Sequence, residues 1–441
     1  MFRYLIIPFT LSIFYAACSS STEPAEIVEE PDFTECVNGM ADGFPCNNIG
    51  LYGVISNIEL LSERADNVGP NANDIWGWTD PETNREYALV GLTDGVTAVD
   101  VTDPANPVVM AKFQEPEDAR SPASPLIAFH DDGSGIKDAS AWRDLKVFQN
   151  HLYVVSEQGN HGMQIFDLTR LRNITSPPAM LQQDAQYNRF GNAHNIAINE
   201  ETGFAYVVGS TTGEICASQG ALHMIDLADP LSPQYAGCAV EPEAGGITRA
   251  GYIHDTQCVI YGGPDTQFAG RELCFSSAER TFLITDVTDK QNPVTIFNSS
   301  YPGNAYAHQG WLTEDHRFFM MNDELDEQQA NINTRTYVWD LASLTEAAMI
   351  GFYQHSTIAI DHNVYIRGDR MYQANYTAGL RLLDVSNPLP GQITEIGFFN
   401  TTPTNSRREF AGTWSVYPWF NSNTVVLSDI NQGLFILHVE R

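Results

Sequence analysis

Basic residues are scarce. Lys and Arg number 23 against 55 Asp and Glu, a formal net charge of -32 over 441 residues. A field that negative repels phosphate backbones and argues against nucleic acid as a partner. Several short chemical signatures are also missing. No GxSxG, HExxH, GxxxxGK[ST] or CxxC occurs, which removes the simplest sequence case for a nucleophile-elbow hydrolase, a zincin, a P-loop or a thiolate zinc site. Glycine (33) and proline (23) are close to average, so the chain is neither collagen-like nor wholly disordered. Beyond the N-terminus no apolar run reaches the roughly 20 residues a membrane-spanning helix needs.

The N-terminus places Arg3 before an apolar run from Tyr4 to Ala17, the pattern of a secretory signal. Small residues directly before Cys18 resemble a bacterial lipoprotein signal. On that reading residues 1–17 are removed and Cys18 is acylated. Residues 18–35 are polar, acidic and punctuated by proline, a composition that makes a tether and not a core. So acidic a chain would not adhere to anionic lipid unaided, so a covalent anchor is physically sensible. The expected address is the cell envelope, at the outer membrane or cell surface. Apart from Cys18 there are six cysteines: Cys36, Cys46, Cys216, Cys238, Cys258 and Cys274. An even number in an exported chain points to disulfides. Sequence neighbours suggest 36–46, 216–238 and 258–274, although six cysteines allow 15 connectivities.

Self-similarity sets the fold expectation. The segments VTAVDV (96–101), MQIFDL (163–168), LHMIDL (222–227), FLITDV (282–287), TYVWDL (336–341), LRLLDV (380–385) and LFILHV (434–439) share one pattern. Their fifth residues are Asp100, Asp167, Asp226, Asp286, Asp340, Asp384 and His438. Each segment is rich in strand-forming residues, and turn sequences such as TDPANP and SNPLPG follow. Further apolar runs before and after each segment give four antiparallel strands per unit. This predicts an all-β, seven-bladed β-propeller over residues 36–441. The stretch 51–61, ahead of the first unit, is predicted to lie outside the last three strands, so that an N-terminal strand closes the final blade. Two stacked β-sandwiches are the alternative. GLRLLDVSNP (379–388) resembles the LVIVD repeat. The runs at 142–172, 308–327 and 361–388 resemble bacterial choice-of-anchor B proteins. That resemblance implies an exported surface propeller and supplies no reaction.

Aligning the units exposes a recurring residue pair ahead of the second strand. The pairs are Asn73-Asp74, Arg143-Asp144, His194-Asn195, His254-Asp255, His308-Gln309, His362-Asn363 and Trp414-Ser415. Innermost strands line a propeller's channel. With side chains alternating, the first members are expected to point inward together and the second members away. His194, His254, His308 and His362 would then converge, and clustered imidazoles suit a transition metal. Asn73, Arg143, Asp144 and Trp414 are candidate ligand contacts in the channel, Arg143 suiting an anion. The competing reading has the histidines satisfying buried polar groups. Asp323, Glu324 and Asp326, in MNDELDE, offer hard oxygen ligands for calcium, or else form a solvated loop. FHDDGSG, around His130, Asp131, Asp132 and Ser134, is a similar acidic candidate in the insertion 114–141. The six repeated aspartates read as turn caps. Trp76, Trp142, Trp311 and Trp414 can stack on a sugar or pack between blades. The functional expectation is therefore a lipid-anchored propeller that binds a surface protein, a glycan or a small ligand. A metal-dependent enzyme and a purely structural envelope protein are its rivals.

Overall fold

The repeated apolar segments are the third strands of seven sheets: Gly95–Asp100, Met163–Asp167, Leu222–Asp226, Thr281–Asp286, Arg335–Asp340, Leu380–Asp384 and Gly433–Val439. The computed structural model describes residues 32–61, 72–116, 140–213, 216, 219–403 and 406–440. Signal segment 1–17, Cys18 and the 130–134 segment lie outside the described residues, as does most of the 18–35 tether. No helix among the described residues is long and apolar enough to cross a membrane.

Each blade has four antiparallel strands in sequence order, apart from the outermost strand of the seventh, and Ala179–Leu181 adds a fifth, parallel strand outside the first blade before the chain returns to complete the second. The innermost strands are Ala72–Thr79, Arg143–Phe148, Asn195–Asn199, Asp255–Ile260, Ala307–Leu312, Val364–Arg367 and Thr413–Tyr417. Each touches the next, and the seventh touches the first, so the ring is complete. This is the seven-bladed propeller that the repeat predicts. Wedge-shaped gaps between blades are filled by rings. Between the fourth and fifth blades, Phe282 packs 4.8 Å from both Phe319 and Trp339, burying large apolar area where neighbouring sheets diverge.

Closure follows the expected route with shifted bounds. The N-terminal strand is Ile49–Ile55, paired antiparallel with Gly433–Val439. It stops before 61 because Ser56 and Glu59 tie off a turn, the Ser56 backbone N–H and hydroxyl both donating to the Glu59 carboxylate. Two short strands, Met40–Ala41 and Phe44–Asn47, extend the sixth blade outward. Packing begins slightly before residue 36. Thr34 exchanges backbone hydrogen bonds with Leu51, and Phe33 stacks 4.0 Å from His438.

The disulfides are Cys36–Cys46, Cys216–Cys238 and Cys258–Cys274. The repeated aspartates cap turns. Asp100, Asp167, Asp226, Asp286, Asp340 and Asp384 each accept the backbone N–H two residues ahead, the Asx-turn arrangement. His438, at the seventh position, instead shares a hydrogen bond with the Tyr52 hydroxyl at 2.9 Å.

Candidate functional site

The recurring pairs do more than strict alternation allows. At His308 and at Trp414 the ladder register shifts by one residue, and a shift also spans Asn73 and Asp74. The same doubling occurs at His194 and His254. His194 donates its N–H to the Val208 carbonyl while Asn195 is the strand partner of Val208. His254 and Asp255 share Ser277 in the same way. These are β-bulges, which break alternation and re-aim side chains. The expectation that second members point away from the channel is therefore corrected. Asp74, Asn195 and Asn363 line the same constriction as Arg143, the four histidines and Trp414.

Three levels of the axis follow from one register. The first pair members form the upper level. The second members form a septum. Residues two further along the strand share the septum residues' face and form the lower wall: Trp76, Lys146, Ala197, Gln257, Trp311, Tyr365 and Tyr417.

At the upper level the four histidine rings step around the axis. Centroids are 4.3 Å apart from His194 to His254, 4.2 Å to His308 and 4.4 Å to His362, with Trp414 4.8 Å beyond. Their second nitrogens are tied to the scaffold. His254 Nδ1 donates to the His308 carbonyl at 2.8 Å, and His362 Nδ1 donates to the Trp414 carbonyl at 2.6 Å. A carbonyl only accepts, so the proton sits on Nδ1 and a neutral ring presents Nε2 as the lone pair. For His308 the corresponding acceptor is the His362 carbonyl, in a looser arrangement that leaves Nδ1 without a tight hydrogen bond. Burial, then the neighbouring imidazoles, hold His254 and His308 well below the usual histidine range. His194 differs. Burial opposes its charge, but the 2.7 Å contact with Glu157 outweighs that and raises it. Gly209, in the left-handed region at φ 71°, makes room here, since a Cβ would lie 2.3 Å from the His194 Cβ.

Glu324 joins this level. Its carboxylate oxygens lie 3.7 Å from His308 Nε2 and 3.7 Å from His362 Nε2. Ligand atoms of His308, Glu324 and His362 all fall within 4.8 Å of one another, the one such group among the described residues. Burial pushes Glu324 up to about 7, against the opposing Tyr376 hydroxyl, which donates to it at 2.8 Å. The calcium candidates do not assemble. Both Asp323 oxygens are occupied, by the Tyr301 hydroxyl and the Ala305 and Tyr306 N–H groups. Asp326 accepts from the Tyr337 hydroxyl, and Glu324 alone turns to the axis. Sequence reasoning had put Glu324 in an acidic loop. The missed signal is register: Ala307 pairs with Asp323, so Glu324 sits across from the residues that lead into His308.

The remaining channel candidates are engaged with neighbouring protein groups. Asn73 donates to the Ala141 carbonyl at 3.3 Å. The buried Arg143 guanidinium is committed to Glu115, the Leu92 carbonyl and His161, which leaves little for an anion. Lys146 reaches from the lower wall to the septum carboxylates, 2.6 Å from Asp144 and 3.5 Å from Asp74. Asn363 Nδ2 donates to Asp74 at 3.3 Å and to Ser415 at 3.0 Å. Burial raises Asp74 well above the carboxylate range, while Lys146 outweighs burial at Asp144 and lowers it.

The constriction encloses about 20 Å³, room for one water or ion. Above it a cavity of about 530 Å³ is lined by the histidines, Glu324, Glu157 and Tyr306. Below it an aromatic funnel of about 760 Å³ opens at the other mouth. Tryptophans divide between the two. Trp142 and Trp414 belong to the histidine side, whereas Trp76, Trp78, Trp311 and Trp419 line the funnel.

No family model matches the sequence, and no curated protein matches it. Solved structures share the fold. The β-propeller domain of Cps50 (Swd1) from Myceliophteria thermophila aligns with a TM-score of 0.51 at 9% identity, over 84% of this chain and 98% of that one. A protein from Lactobacillus plantarum aligns with a TM-score of 0.51 at 12% identity, over 79% and 92%. At such identity the likeness shows a β-propeller and nothing about chemistry. The LVIVD and choice-of-anchor B resemblance gains only its fold from these matches.

Proposed function

We propose that this chain is an exported, lipid-anchored binding propeller that holds a divalent transition metal at His308, Glu324 and His362. The observation that carries the metal is the convergence of two imidazoles and one carboxylate, from three separate segments of the chain, at the floor of the upper cavity. Metal-ligating histidines characteristically give their other N–H to a carbonyl, as His362 does to the Trp414 carbonyl. Two ligands at about 2.0–2.1 Å around a tetrahedral ion stand roughly 3.4 Å apart. The 3.7 Å separations run to different Glu324 oxygens, and one ligand atom from each residue spans up to 4.8 Å, so holding an ion requires the set to close by about 1 Å. Imidazole and carboxylate ligands favour zinc and its neighbours over calcium. Three protein ligands leave an open coordination position, here toward the 530 Å³ cavity, where a ligand's own donor atom can bind.

Metal content after equilibration with zinc and gel filtration tests this. The expected result is close to one zinc per chain, lost in the double variant His308→Ala/His362→Ala while the melting transition remains cooperative. A wild-type chain that retains no metal overturns the reading, as does a double variant that retains as much.

A further inference from the structure

The funnel at the opposite mouth is two-faced. One wall is aromatic: Trp311 from the fifth blade, Tyr365 from the sixth, Tyr417 and Trp419 at the seventh, and Trp76 from the first. These rings brace one another in edge-on and tilted contacts. Trp76 lies 5.3 Å from Tyr417 and 5.5 Å from Trp419, and Trp311 lies 5.0 Å from Tyr365 and 5.8 Å from Trp419. The three tryptophans remain only half-buried, so ring surface is left facing the cavity. Gly77 permits this packing, since a Cβ there would meet the Tyr417 ring at 2.1 Å. The facing wall is polar and comes from the second, third and fourth blades: Asp144, Lys146, Asn195, Asn199, Asp255 and Gln257.

A cavity of about 760 Å³ falls within the roughly 300–1,000 Å³ of small-molecule sites. Its division selects the ligand. A flat aromatic wall wants an apolar face. Opposite it, Asn199 is tied to Glu272, and Asp144 to Lys146 and the Leu145 and Ile196 N–H groups, so Asn195, Asp255 and Gln257 are the groups to meet hydroxyls. A β-linked pyranose chain has both, because its equatorial hydroxyls ring a face of axial C–H bonds. Two other ligand classes fit worse. An anion meets a chain of net charge -32 and a wall holding Asp144 and Asp255. An organic cation would take the aromatic face, but Lys146 already lies 4.5 Å over the Trp76 ring while holding Asp144 at 2.6 Å. The cation–π position beside those carboxylates is thus filled from within.

From this geometry we infer that the aromatic mouth binds a neutral, β-linked oligosaccharide, its sugar rings stacked on Trp311 and Trp419 and its hydroxyls directed at the polar wall. The inference is independent of the metal reading, because the septum separates the two mouths.

Titration of the full chain with cellohexaose and with chitohexaose, followed by tryptophan fluorescence and calorimetry, tests it. The expected result is saturable binding of at least one hexasaccharide, with a tryptophan fluorescence change. Trp311→Ala should weaken it at least tenfold, and Trp311→Phe should retain most of it. Binding should persist in His308→Ala/His362→Ala, which separates failure here from failure of the metal site. If neither hexasaccharide gives saturable binding at millimolar concentration, the inference fails. It fails equally if Trp311→Ala binds as well as the parent, or if tetramethylammonium saturates the same site in preference to both sugars.

Discussion

The two mouths of the channel are built from the same strands, three residues apart, and have opposite chemistry. In the fifth blade His308 faces the upper mouth and Trp311 the lower, and in the sixth His362 and Tyr365 do the same. The upper mouth gathers imidazoles around one carboxylate. The lower sets an aromatic wall against a polar one. The difference teaches that a propeller's repeat fixes level and direction, while residue identity at each level is free to change. Between them the septum, with Lys146 shared between Asp74 and Asp144, keeps the two environments apart.

The sharpest way to break that comparison is to remove the cation that neutralises the septum's carboxylates. Lys146→Met leaves Asp144 buried without its counter-ion, and a loss of about 3–5 kcal/mol in urea-unfolding stability is expected. A change below about 1 kcal/mol would mean that the septum does not depend on this pair. Next in size is Gly77→Ala, which forces Tyr417 away from Trp76. Overpacking should cost about 1–3 kcal/mol and alter tryptophan fluorescence while leaving zinc content unchanged. If zinc is lost as well, the two mouths are coupled and the comparison is wrong.

A pH experiment probes the scaffold beside the histidine mouth. Glu327 is fully buried, and burial, then the Asp326 charge, pushes it up from 4.5 to about 10. The fold favours its neutral form. That contribution is complete below the unfolded value near 4.5 and is lost as pH rises toward 10. Glu327→Gln should therefore melt several degrees above the parent near pH 9 and match it near pH 5. Equal melting temperatures at both pH values would refute the assignment. The smallest effect is expected at a turn cap. Asp384→Ala removes the acceptor for the Ser386 N–H and should cost at most about 1 kcal/mol without touching either mouth. A cost several times larger would mean that Asp384 does more than cap its turn.

Much of this was legible in the chain. The repeat of strand plus Asx turn gives the blade count, because each unit must bury one apolar sheet against the next. Disulfide partners follow from proximity along the chain, since Cys258 and Cys274 stand opposite each other on adjacent strands. The histidine pairs were visible as a column. What alternation concealed was the bulge, which brings Asp74, Asn195 and Asn363 to the axis beside their neighbours. Glu324 was seen but misplaced, because its role depends on cross-strand register with Ala307 and Asp323. The lower aromatic wall was half seen. Trp76 and Trp311 were noted as ring candidates, but Tyr365 and Tyr417 occupy the same repeat position and were not grouped with them. Trp419 lies beyond its strand, where no strand period applies.

Zinc K-edge X-ray absorption on the zinc-loaded chain tests the central claim most directly. The account predicts a first shell of nitrogen and oxygen at about 2.0–2.1 Å, with imidazole outer-shell scattering from two rings that disappears in His308→Ala/His362→Ala. A spectrum without imidazole scattering, or one identical in that variant, would contradict it.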